Sequence, residues 1–103
     1  FADLNPTKGS EQAGYRPVLI ISGNMLNQHL KVVIVCPLTS QIKNYKGNLI
    51  LKPTKDNNLS KKSEVLTFHV RSLAKIRLIE KIGKVQKNEL ELVHNSLGDI
   101  LRY

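Results

Sequence analysis

The sequence predicts a mainly β domain of the α+β class: about five short strands bent into a small sheet or barrel, with one C-terminal amphipathic helix. Three observations predict it. The apolar, β-branched runs Val18–Ser22 and Val32–Cys36 have the continuous character of strands buried on both faces. Polar, turn-rich segments separate such runs at short intervals. Only the last segment changes period, where Leu90, Val93, Leu97, Ile100 and Leu101 fall on one helical stripe. The chain has 103 residues and a mass of 11.6 kDa, the size of a single domain spanning 1–103. A chain of this length buries roughly 60–70% of its unfolded surface, enough for one core without staples.

In chain order, Phe1–Leu4 alternates weakly and reads as the end of a strand cut short. Residues 5–16 form a polar loop with an Asn5-Pro6 turn start, Gly9 and Gly14. Val18–Ser22 is the first buried strand, and Gly23–Gln28 leaves room for one helical turn. Lys31–Leu38 is the second buried strand, ended by Pro37. A basic loop leads to two strands that alternate, Asn48–Lys52 and Glu64–Val70, with the turn-rich 53–63 between them. Leu78–Val85 reads as another strand closing at Gly83, and residues 87–101 as the helix.

Composition narrows the function classes. At 41% hydrophobic and 23% charged the chain is globular, and no apolar run approaches the ~20 residues of a membrane span. The opening Phe1-Ala2-Asp3 has neither the basic start nor the apolar stretch of a signal peptide. A lone cysteine, Cys36, excludes a disulfide framework and a multi-cysteine zinc site, so a reducing cytoplasm is the expected home. The net charge of +8 is uneven. Residues 42–87 carry twelve basic residues against Asp56, Glu64 and Glu80, whereas residues 88–103 carry Arg102 against Glu89, Glu91 and Asp99. Such a surface attracts polyanions, nucleic acid most simply. A solvated lysine face is the plainer alternative, since Lys outnumbers Arg twelve to four.

No glycine-rich phosphate loop is present, and His29, His69 and His94 lack ligand-like spacing, so no metal or cofactor is expected. Cys36 lies inside an apolar strand, where a buried inert thiol is the common condition. Three polar islands remain. The first runs from Lys8 to Pro17, and Pro17 holds Arg16 extended at the entrance to a buried strand. Thr39-Ser40-Gln41 leaves the next strand, and His69-Val70-Arg71-Ser72 leaves a third. Each alone is ordinary strand-end chemistry. Together they fall where strands enter or leave the core, so one rim of a small barrel would gather them.

The segment FADLNPTKGSEQAGYRPVLIIS closely resembles the opening of the MazF/PemK family of toxin endoribonucleases, with its D-x-x-P and G-S-E-Q-x-G-x-R-P pattern. VVIVCPLTS and HVRSLAKIRLIEKIGKV are similar to later family segments, so the resemblance covers essentially the whole chain. It implies a small SH3-like barrel, a two-fold homodimer and metal-free cleavage of single-stranded RNA, blocked by an acidic MazE-like antitoxin. The family's catalytic Arg and Thr fall on Arg16 and Thr39, and Glu11 and Gln12 match polar residues of the first loop. The expected products are a 2′,3′-cyclic phosphate and a 5′-hydroxyl. Arg16 suits stabilisation of the phosphorane, through bidentate contacts to phosphate oxygens. Thr39 suits orientation of the reacting groups, and Glu11 and His69 are both candidates for proton acceptor. RNA contacts are expected from Lys8, Gln12, Tyr15, Ser40, Gln41, His69 and Arg71, with Tyr15 and Phe68 as the available stacking groups. This sequence departs from the family pattern where an acidic residue and Gln are replaced by Phe68-His69. The residues proposed for the PemK branch fall on Leu66 and Phe68, so that branch's mechanism does not transfer. Two rival functions share the fold: a CcdB-like toxin that binds DNA gyrase and cuts nothing, and a non-catalytic RNA-binding barrel.

Overall fold

A computed structural model describes residues 2–3 and 15–102. Its spine is β4 (Val32–Thr39), the long apolar run of the sequence. One edge of β4 pairs antiparallel with β3 (Val18–Ile20), in the register Val18↔Pro37, Leu19↔Cys36 and Ile20↔Val35. The other edge is shared. β7 (Arg71–Ala74) takes its first half, Val32↔Ala74 to Val35↔Arg71, and β6 (Ser63–Val65) takes its end, Leu38↔Val65 and Thr39↔Glu64. β5 (Ile50–Leu51) adds outside β6, while β1 (Ala2–Asp3) and β2 (Tyr15–Arg16) form a separate ribbon. Among the described residues two α-helices, α1 (Asn24–His29) and α2 (Lys87–Arg102), complete the fold.

Alternation along β4 explains why it is apolar throughout. Cys36 and Leu38 join Leu19, Ile21, Leu51 and Val65 beneath the fully buried Val93 of α2. Val33 and Val35 point the other way and pack with Leu73, flanked by Val18 and Leu78. The period-3.6 stripe of α2 delivers Leu90, Val93 and Leu97 to the first cluster. Its start is fixed by Glu89, whose Oε1 accepts the Gln86 N–H at 2.8 Å, half of a capping box. His94 Nε2 meets the Ile21 carbonyl at 2.8 Å, and Ser96 Oγ donates to the Gly47 carbonyl at 2.6 Å. Among the described residues no helix is long and apolar enough to cross a membrane.

Several elements differ from the sequence expectation. Pro37 does not end its strand, which runs on to Thr39. Tyr15–Arg16 is strand rather than loop, paired with Ala2–Asp3. Asn48–Lys52 keeps only Ile50–Leu51 as strand. Glu64–Val70 is not one strand. Leu66 N–H donates to the Pro37 carbonyl at 2.9 Å, but Pro37 has no N–H to return to that edge. The chain leaves the sheet there in a 3₁₀ turn, Thr67–His69, before β7 resumes the pairing with β4. Leu78–Val85 is an irregular strap, bridged only at Leu78. It is tied to a turn instead of a strand: Lys84 N–H donates to the Asp56 carbonyl and Asn58 Nδ2 to the Ile82 carbonyl, both at 2.8 Å. Without that strand the five-stranded sheet of the described residues is bent but does not close into a barrel.

Candidate active-site cleft

The strand register leads Arg16 and Thr39, at the ends of the first two polar islands, toward one cleft. Antiparallel pairing of Val18 with Pro37 continues through a hydrogen bond from Leu38 N–H to the Pro17 carbonyl, 3.0 Å. Arg16 and Thr39 come next along the two chains, and both line the cleft described below. Across the other edge of β4, Thr39 pairs with Glu64. Thr39 Oγ1 accepts the Gln41 N–H at 3.1 Å, the local turn chemistry that lets the chain leave the strand. The 3₁₀ turn after β6 brings Phe68 and His69 to the same rim.

These elements surround a cleft of about 980 Å³. Arg16, Pro17, Thr39, Ser40 and Gln41 line one part of it. Lys43, Tyr45, Leu66, Phe68 and His69 line another, and Asn58, Leu59, Ser60, Lys61 and Ile82 come from the turn and strap. Arg16 and Thr39 are half-buried, whereas Ser40, Gln41 and His69 are exposed. The rings form a row. Tyr45 meets Phe68 edge-on at 5.3 Å between centroids, and Phe68 meets His69 at 4.7 Å. Lys43 and Lys61 add positive charge to a floor that holds a guanidinium and a hydroxyl, a combination suited to phosphate.

Of the residues expected from sequence, Arg16, Thr39, Ser40, Gln41 and His69 thus share one cleft. Arg71 does not line it; it heads β7 opposite Val35. Lys8, Glu11 and Gln12 lie outside the described residues, and Tyr15 is described only through its backbone pairing with Asp3. Cys36 is buried away from the cleft, and burial pushes its thiol up to about 11. Among the described residues no three His, Cys, Asp or Glu side chains gather as a metal site.

Sequence reasoning missed Tyr45, Lys43, Lys61 and Glu64. The last is buried, and burial pushes its carboxyl up. Hydrogen bonds from the Asn48 side chain and the Lys43, Tyr45 and Asn44 backbones outweigh that and hold it below the ordinary carboxylate range. A Glu alternating with Val65 reads as a solvent-facing strand residue, and the sequence offered no sign that a distant loop would cover it.

A profile described as the PemK-like, MazF-like toxin of type II toxin–antitoxin systems matches residues 1–101. The chain is 36% identical over 98 residues to Endoribonuclease MazF of Staphylococcus saprophyticus, covering 94% of this chain and 82% of that protein. The crystal structure of MazF from Deinococcus radiodurans superimposes with a TM-score of 0.80 at 31% identity, over 100% of this chain and 91% of that one. A MazE–MazF structure from the same organism gives 0.70 at 30% identity, covering 84% of each chain. The chain therefore belongs to the family of PemK-like, MazF-like toxins of type II toxin–antitoxin systems.

Proposed function

We propose that the cleft binds single-stranded RNA and cleaves it by attack of the substrate's own 2′-hydroxyl, without a metal ion. The 2′-oxygen forms a bond to phosphorus as its proton passes to a base, and the P–O5′ bond breaks as the leaving oxygen takes up a proton. The products are a 2′,3′-cyclic phosphate and a 5′-hydroxyl. Arg16 holds the phosphorane oxygens through its two-pronged guanidinium. Thr39 orients the reacting groups, Glu11 accepts the 2′-proton, and His69 reads base edges. Lys43 and Lys61 attract the RNA backbone. The observation that carries the reading is the convergence of Arg16 and Thr39 in one cationic, ring-lined cleft. The name of the staphylococcal relative, an endoribonuclease, supports RNA cleavage.

The partners follow from that reading. The pairing of the Deinococcus relative with MazE supports an antitoxin partner, and the basic middle of the chain suits an acidic one docked over the cleft. The chain pairs as a two-fold homodimer, and exposed Ile76 and Ile79 supply apolar surface that pairing would cover. The test of the assigned roles is substitution. Arg16→Ala and Thr39→Ala should each cut the cleavage rate about 10²–10³-fold, the usual loss for one charge-stabilising group, with folding and antitoxin binding kept. Arg16→Lys should remain poor, because an ammonium lacks the guanidinium fork. Near-normal cleavage by Arg16→Ala would refute the assignment.

A further inference from the structure

Glu64 is an unusual residue to bury. A carboxylate removed from water is costly, and a Val or Leu at this register position would pack without that cost. Both its oxygens are fully used. Oε1 accepts the backbone N–H of Lys43 at 2.8 Å and of Asn44 at 3.0 Å. Oε2 accepts the backbone N–H of Tyr45 at 2.9 Å and Nδ2–H of Asn48 at 3.0 Å. Three consecutive amides turn inward on one side chain, and the loop accommodates this with left-handed backbone at Asn44 (φ 57°) and Gly47 (φ 90°). Glu64 therefore fixes the path of residues 43–48 from inside the protein.

The outer side of that loop faces the cleft. There Tyr45 stands edge-on to Phe68, which stands edge-on to His69. Tyr45 and Phe68 are each about half exposed, at 49% and 48%. Aromatic faces left open along a cationic groove are the standard platform for unpaired bases. Resting on the RNA reading above, we propose that Tyr45 and Phe68 form one stacking wall for the bases of single-stranded RNA, with His69 at its end to read a base edge, and that Glu64 is the positioning residue that holds Tyr45 in it.

A double-mutant cycle tests this, using a non-cleavable 2′-O-methyl RNA of mixed sequence for affinity and an unmodified copy for kinetics. Tyr45→Ala should weaken binding about ten-fold or more, the size of one lost base–aromatic stack, with the loss in KM and not in kcat. Tyr45→Phe, which restores the ring, should recover most of it. Glu64→Gln turns an N–H donor toward the loop amides and should lose a similar factor. Combined with Tyr45→Ala it should add nothing, because both changes remove the same contact. If Glu64→Gln does not fold, Asn48→Ala, which deletes only the side-chain donor, takes its place in the cycle with the same outcomes. Additive losses, or full affinity in Tyr45→Ala while the unsubstituted protein cuts RNA, would overturn this inference alone. Failure of the unsubstituted protein to bind or cut single-stranded RNA would remove the functional reading beneath it as well.

Discussion

Gly83 is the tightest backbone contact among the described glycines, and replacing it with alanine should loosen one rim of the cleft. A Cβ at this position would lie 2.3 Å from the Asp56 carbonyl oxygen and 2.7 Å from the carbonyl carbon and oxygen of Asn57. All three atoms are main chain, so none can swing aside as a side-chain tip would. The turn they belong to is itself rigid: buried Asn57 accepts the N–H groups of Thr54 and Leu59 and donates to the Lys52 carbonyl. Forcing a methyl group into such a contact costs about 1–3 kcal/mol. Separating strap from turn also strains the Lys84–Asp56 and Asn58–Ile82 hydrogen bonds, and losing one of them adds about 1 kcal/mol. The expected destabilisation is therefore about 2–4 kcal/mol. Urea unfolding at equal protomer concentration would show it as a lower midpoint with an unchanged slope. Gly98→Ala in α2 supplies the contrast. Nothing lies within 4 Å of its added Cβ, so alanine should stabilise the helix by roughly 0.5–1 kcal/mol. A Gly83→Ala protein within about 0.5 kcal/mol of the original would refute the packing argument. Because Asn58 and Ile82 line the cleft, the same variant should also bind RNA more weakly.

Two other predictions concern acid behaviour and sequence preference. Hydrogen bonds hold the Glu64 carboxyl below its unfolded value of about 4.3, so its contribution is complete above that pH and is lost as pH falls through the lower folded value. The stability difference between the original protein and Glu64→Gln should thus shrink on going from about pH 6 to about pH 3; a constant difference would contradict it. His69→Gln should still cleave RNA but at altered sites, read by sequencing the new 5′ ends, whereas loss of cleavage on every RNA with binding retained would assign the histidine to proton transfer instead.

The parts of the fold written in period and in local motif were legible in the sequence. The two-sided apolar run gave β4, and the helical stripe gave α2 to within a residue. Arg16 and Thr39 stood out through the family resemblance of the segments that carry them, and both line the cleft. What escaped depends on contacts distant in sequence. The break after Val65 arises from a proline on the neighbouring strand, while the alternation in Glu64–Val70 runs on without a mark. The strap at 78–85 has the apolar content of a strand, but its hydrogen bonds go to a turn over twenty residues earlier. Glu64 and Tyr45 were hidden for the same reason, since their roles exist only once the 43–48 loop folds over the carboxylate.

On the proposed mechanism, the cleft cuts RNA with the 2′-hydroxyl as nucleophile and Arg16 as the charge-stabilising group. Incubating a long single-stranded RNA with the protein in excess EDTA, and labelling the products with a polynucleotide kinase without prior phosphatase, tests it most directly. Discrete fragments that label at once are expected, with almost none from Arg16→Ala. Cleavage that appears only when Mg²⁺ is restored, or 5′ ends that label only after phosphatase treatment, would contradict it.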